Sequence, residues 1–226
     1  LNINLSAAAG KTIVLDAGHN GQNYAHPEIN NPVFIGTQTR ACDTTGTATN
    51  DGYNESEYNI DVTLRVAAAL RAAGANVVLT RSDNNGWGPC INERAAIGNR
   101  AQAAVGISIH ADGGSSGGRG FHVIYPPSIG GYTDDIAAES KRLALDVRGA
   151  FAAGTNMPYS TYIGRGSALS ERSDLGGLNL SDVPKVFIET GNMRNATDAD
   201  LLRNADFRQR EAMAIAQGLA DFLAGR

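Results

Sequence analysis

Four polar side chains in this sequence stand where an apolar run ends or a helix begins: His19, Glu55, His110 and Glu189. Two imidazoles and one carboxylate, with a fourth position open, are the donor set of a hydrolytic zinc centre. A separate carboxylate beside such a centre is suited to act as general base and then general acid. Imidazole in the set favours Zn²⁺ over Mg²⁺ or Ca²⁺, which prefer all-oxygen shells. Each residue also has a plainer reading. A histidine at a strand end can be a hydrogen-bonded structural group, and Glu55 opens a helix, where the macrodipole stabilises an acid; Glu57 competes with it. Glu189 follows an apolar run, a place that ionised carboxylates avoid unless they are paired or metal-bound. His26, in a polar loop, and His122, inside a strand between Phe121 and Val123, read as structural or solvated.

The elements that must position these groups are legible from pattern. Residues 11–16 form an apolar strand that leads to His19. The β-formers Val105, Ile107 and Ile109 form another, ending on His110, and residues 183–188 a third, ending on Glu189. Asn54 as N-cap with Glu57 three residues into the helix makes a capping-box pattern and puts Glu55 at the first helical position. Further strands are expected at 76–80 and 120–125, with a short one near Tyr162 and Ile163. Helices are expected at 91–104 and 134–153, and a closing helix is capped by Thr197 with Asp200. The alternation of strand and helix reads as an α/β fold: one domain with a twisted, mostly parallel β-sheet flanked by helices on both faces. Residues 1–10 read as a tail and 11–226 as the domain. Residues 20–54 form a long loop, in which residues 33–35 and the Thr-rich run at 44–49 are expected to pair as a hairpin flap. If the strands run parallel, all four chemical groups converge on one rim.

Composition narrows the class. With 226 residues, 42% hydrophobic and 19% charged, the chain is able to bury a sizeable core. A net charge of −4 argues against a nucleic-acid partner or an anionic-membrane surface, and no stretch is apolar enough for a membrane span. Cys42 and Cys90 both lie in turn-rich sequence, and a disulfide between them is expected. Such a bond implies an oxidising, extracytoplasmic compartment. The start at Leu1 fits a mature N-terminus left by signal-peptide removal, or simply a boundary.

The motifs, taken in order, resemble the zinc-dependent N-acetylmuramoyl-L-alanine amidases of the amidase type 3 family. The matching pieces run from Ile13 to His19, Glu55 to Ile60, Val77 to Asp83, Arg94 with Asn99, Ile107 to Asp112, Gly120 to Tyr125, and Val186 to Gly191 with Asn195. The resemblance implies that His19, Glu55 (rather than Glu57) and His110 are zinc ligands and that Glu189 is catalytic. The implied reaction is hydrolysis of the amide between the lactyl group of N-acetylmuramic acid and L-alanine, with peptidoglycan or muropeptides as partner. Arg165 and Arg172 are candidates for binding stem-peptide carboxylates. Asn192, where the family has a more apolar residue, is a further candidate substrate contact, and Arg94 braces the fold. The loop at 113–118 and the 20–54 segment are expected to border an open groove. A monomer is expected. The sequence shows neither a long extra helix between 127 and 183 nor wall-binding repeats. A zinc carboxypeptidase-like exopeptidase and a non-catalytic wall-binding scaffold stay open as alternatives.

Overall fold

The computed structural model describes residues 2–225. The strands are β1 Thr12–Ala17, β2 Pro32–Phe34, β3 Thr39–Ala41, β4 Asn76–Leu79, β5 Val105–Asp112, β6 His122–Tyr125, β7 Leu169–Glu171 and β8 Lys185–Asn192. The helices are α1 Glu55–Ala72, α2 Ile91–Arg100, α3 Ala137–Thr155, α4 Gly176–Asn179, α5 Ala196–Arg203 and α6 Ala205–Leu223. Six strands form one sheet in the order β4-β1-β5-β8-β6-β7. The first four run parallel, β6 is antiparallel to β8, and β7 is parallel to β6.

Successive side chains of a strand point to opposite faces, and here the two faces differ in chemistry. Ile13 and Leu15 of β1, Val105, Ile107 and Ile109 of β5, and Val186 and Ile188 of β8 point back into the main core. There they meet Tyr58, Val62 and Leu70 of α1, Leu143 and Phe151 of α3, and Ile215 and Leu219 of α6, all of them fully buried. Each such aliphatic side chain contributes about 1.5–3 kcal/mol when withdrawn from water. The alternate residues Asp16, Ser108, His110, Lys185, Phe187 and Glu189 face forward. The front is covered only in part, by α2 and α4. Gly98 lets α2 lie close, since a Cβ there would come within 3.0 Å of Val14 Cγ1.

Several local expectations need correcting. Asn54 is the N-cap of α1, yet its side chain makes no cap hydrogen bond, so the capping box is not formed. Residues 32–34 pair with 39–41 as a separate antiparallel hairpin, not with 44–49. The short strand lies at Leu169–Glu171 rather than at Tyr162 and Ile163. The closing segment is two helices, α5 capped by Asn195 and α6 by Asn204, each through its side-chain oxygen. At the N-terminus, Ser6–Ala8 form a 3-10 turn with Ala8 buried in the main core.

Cys42 and Cys90 are joined, with Cα atoms 4.4 Å apart. The bond ties the 20–54 segment to the residue that caps α2, and the Ile91 amide donates to the Cys42 carbonyl beside it at 2.7 Å. Replacing both cysteines by serine is expected to lower the unfolding free energy by about 2–4 kcal/mol, because the open chain gains the entropy that the bond removes. Urea unfolding of the double variant beside the oxidised wild type measures it, and an unchanged midpoint would rule the bond out as a stabilising element.

Candidate metal centre

Three side chains from three separate elements meet at the front rim of the sheet. His19 lies just past the end of β1, Glu55 is the first residue of α1, and His110 is near the end of β5. His19 Nε2 lies 3.2 Å from Glu55 Oε2, and His110 Nδ1 lies 2.9 Å from Glu55 Oε1. One donor atom from each falls within 4.8 Å of the others. The two rings are edge to face with centroids 5.0 Å apart, and Phe187 stacks on the His110 ring, nearly parallel to it. Glu57, the competing acid, is exposed and outside the cluster.

The backbone around these residues is shaped to them. His19 adopts φ 56°, in the left-handed region, which turns its ring back over the rim. Gly18 must lack a side chain, since a Cβ would come within 2.0 Å of His110 Cε1. Asn59, one helical turn after Glu55, donates to the Gly18 carbonyl at 3.1 Å and to Glu55 Oε1 at 3.3 Å. The Thr47 amide donates to Glu55 Oε2 at 2.9 Å.

An outer shell holds the histidine. His19 Nδ1 lies 3.0 Å from the Thr44 carbonyl and 3.4 Å from Asp43 Oδ1. An outward hydrogen bond of this kind fixes which ring nitrogen faces a metal. Asp43 in turn accepts from the Arg94 guanidinium at 2.9 Å, and Arg94 also donates to Asp16 at 2.8 Å. Asp16 is buried and accepts from Thr80, Ser108 and Lys185 as well. Against the penalty of burial, the charges of Lys185 and Arg94 hold its carboxyl well below the usual range. Arg94 thus braces the fold, as its place in the sequence suggests, and it also supports the site through Asp43.

The electrostatics of the three groups are mutually dependent. Burial opposes charge on His19, but Glu55 and Asp43 raise its pKa to about 10. Burial would also raise Glu55, yet the two histidines hold it well below its ordinary value. A buried carboxylate flanked by two imidazoles, one of them strongly proton-holding, is a place where positive charge is stabilised. A divalent cation of borderline softness fits this nitrogen and oxygen set better than a hard cation does.

Glu189 is the strand neighbour of His110, paired with it between β8 and β5. Its Oε2 is buried with no hydrogen-bond partner in the structure. Burial, then the charges of Glu55 and Asp112, push its carboxyl well above the ordinary range. A carboxyl with a spare buried oxygen next to a cation-seeking site is placed to exchange protons with a bound molecule.

Two cavities share the histidine pair. One, of about 370 Å³, reaches toward Arg40, Asp43 and Asp174; the other, of about 190 Å³, toward Thr47, Asp112, Gly113 and Glu189. Arg172 lines both. Its Nε and Nη2 are held by Asp174 at 2.8 and 2.9 Å, and Asp174 also pairs with Arg40 of the hairpin. Arg165 lines neither cavity; it is exposed on the 3-10 turn Gly164–Gly166. Asn192 is not available to a substrate either. It is fully buried, its amide nitrogen donates to the Ser115 and Gly118 carbonyls, and its oxygen accepts from the Arg194 amide. Its role is to fasten the 113–118 loop. Tyr162 assists, donating to Asp112 at 3.0 Å while its ring packs so closely on Gly114 and Gly118 that neither has room for a Cβ.

Asp43, Thr44, Thr47, Phe187 and Asp112 were not singled out as site residues from sequence. Phe187 and Asp112 fall within the matching motifs, and Asp43 neighbours a bridged cysteine; Thr44 and Thr47 carry no signal there.

Comparison with known proteins agrees with this geometry. A family model described as N-acetylmuramoyl-L-alanine amidase matches residues 13–221. The chain is 39% identical over 217 residues to the N-acetylmuramoyl-L-alanine amidase Rv3717 of Mycobacterium tuberculosis, covering 96% of this chain and 88% of that one. The crystal structure of the amidase Ami1 from Mycobacterium smegmatis matches with a TM-score of 0.90 and 42% identity, covering 97% of this chain and 99% of that one. The apo form of Ami1 from Mycobacterium abscessus gives 0.89 and 41%, covering 95% and 99%.

Proposed function

The chain belongs to the N-acetylmuramoyl-L-alanine amidase family and is a peptidoglycan amidase, and on that premise we propose how its residues divide the work. His19, Glu55 and His110 would hold Zn²⁺, and Glu189 would move the proton. The observation that carries this reading is the convergence of three donor atoms within 4.8 Å beside a carboxyl with an unpaired buried oxygen. When bound, Zn²⁺ supplies Lewis-acid polarisation of the scissile carbonyl and of water.

The remaining chemistry belongs to the chain. The bond cut joins the lactyl carbonyl of N-acetylmuramic acid to the nitrogen of L-alanine. Glu189, acting as the carboxylate, takes a proton from the attacking water and returns it to the leaving amine, so the carboxylate is restored at the end of each cycle. Asp43 and Thr44 keep the His19 ring in one orientation throughout. Arg172, positive and bordering both cavities, binds a carboxylate of the peptide stem in competition with Asp174. The fastened 113–118 loop forms a rigid wall beside Glu189. The disulfide and the family support an extracytoplasmic location, and among the described residues no helix is long and apolar enough to cross a membrane.

The test is zinc content by elemental analysis of the wild type, together with release of peptide from a muramoyl peptide. One zinc per chain with a free L-alanine amine on the product is expected. A protein that binds no metal, or one that trims the peptide from its carboxyl end, would refute the reading.

A further inference from the structure

Behind the sheet, away from both cavities, a line of polar groups crosses the apolar core. Glu211 of α6 is fully buried, and its Oε2 lies 2.8 Å from the Tyr58 hydroxyl. The Tyr58 oxygen lies 2.6 Å from Thr190 Oγ1. The Thr190 hydroxyl donates to the backbone carbonyl of His110 at 3.2 Å. None of these three side chains has a part in the proposed mechanism.

The hydrogens along this line can be counted. A carbonyl only accepts, so the single hydrogen of Thr190 goes to His110. The single hydrogen of Tyr58 then goes to Thr190. The contact between Tyr58 and Glu211 has no hydrogen left unless Glu211 brings one. An ionised Glu211 would leave one of the three contacts as two oxygens with nothing between them. It would also leave a charge on a carboxylate whose Oε1 is buried without a partner.

We propose that Glu211 is held in the folded core as the neutral carboxylic acid, and that its proton is the first donor in a chain ending on the carbonyl of His110. Glu211 is then a positioning residue. Acting through Tyr58 and Thr190, it fixes the strand segment that presents His110 and, next to Thr190, Glu189. Its effect on catalysis rests on the proposed metal site, whereas its protonation state does not.

The surroundings agree with the count. Burial pushes the Glu211 carboxyl well above the ordinary range; its contact with Tyr58 and the charges of Arg208 and Arg210 pull the other way, and Asp198 adds to the rise. These are the groups that face it: Tyr58 from α1, Tyr53 from the segment before it, Asp198 from α5, and Arg208 and Arg210 from α6. The Arg208 guanidinium is engaged elsewhere, with Asp61 and the carbonyls of Leu202 and Arg203.

A raised carboxyl stabilises the fold fully below the ordinary value of 4.5, and that increment is lost as the pH rises from there to the folded value. Glu211→Gln cannot ionise, yet its amide N–H still faces Tyr58. The thermal midpoint of Glu211→Gln should therefore gain on the wild type by about 3–5 °C per pH unit across that window. Difference infrared spectra at neutral pH should show a protonated-carboxyl stretch in the wild type that is missing from the variant. A midpoint difference that does not change with pH, with no such band, would overturn the proposal. The positioning role is read from kcat: Glu211→Leu, which neither donates nor accepts, should lose about tenfold, the scale of one hydrogen bond, and Glu211→Gln should restore it. An unaltered kcat in Glu211→Leu would remove the positioning role. Should that variant fail to fold, the pH series and the infrared band still decide the protonation state.

Discussion

Glu189→Gln is expected to bind zinc at the wild-type level and to release peptide from a muramoyl peptide about 10²–10⁴-fold more slowly, the range a positioned acid–base group contributes. The substitution keeps the size and polarity of the side chain and removes only its capacity to take up and give back a proton. Metal retention follows from geometry, because the three converging donors are His19, Glu55 and His110, and Glu189 stands outside that set. The loss should fall on kcat more than on KM, since the carboxyl acts on the proton in flight rather than on the ground-state substrate. Elemental analysis and steady-state kinetics on the same preparation separate the outcomes. Full activity with zinc bound would falsify the assignment of Glu189. Loss of zinc together with activity would show instead that Glu189 helps to hold the metal.

The second large effect lies beneath the site. Arg94→Leu is expected to lower the unfolding free energy by about 3–5 kcal/mol, the cost of removing one partner from a buried charge network. Arg94 is buried and donates to Asp16, Asp43 and the carbonyls of Ala17, His19, Gly88 and Pro89. Asp16 would keep Lys185, 3.1 Å away. Among the described residues Asp43 has no second cation of this kind; it would be left with His19, and the carbonyls of Ala17 and His19 in the site-bearing turn, with those of Gly88 and Pro89, would each lose a donor. The variant should therefore also bind zinc more weakly, although among the proposed ligands Arg94 meets only the backbone carbonyl of His19. Urea unfolding with a zinc titration measures both, and a stability loss under about 1 kcal/mol would place Arg94 among the surface-like ion pairs.

The parts of the fold that were legible in the sequence are those with a period. Val105, Ile107 and Ile109 alternate with Gly106, Ser108 and His110, and the period of two decides which residues face the core and which face the rim. His19, His110 and Glu189 were conspicuous because each is a group capable of chemistry at an end where apolar residues give way. Loops carry no such period. The Thr-rich run at 44–49 has strand-like composition, yet its backbone is spent on the site: Thr44 on His19 and Thr47 on Glu55. That is why it does not pair with residues 33–35. Arg165 and Arg172 look alike in local sequence, and only the placement of β7 at the sheet edge turns one toward the cavities and leaves the other on a solvent-facing turn. Asn192 follows the proposed catalytic group, where a polar residue suggests contact with substrate, whereas its side chain is buried and bonded to the 113–118 loop.

Position 19 sets folding against catalysis. A residue with a Cβ is disfavoured at φ 56° by roughly 1–2 kcal/mol, a penalty that glycine escapes and asparagine softens. Neither of those residues offers an imidazole. A sturdier backbone at this position would therefore come at the cost of the proposed metal ligand. The strain at His19 is of the kind that persists where the surrounding structure holds a functional side chain in place.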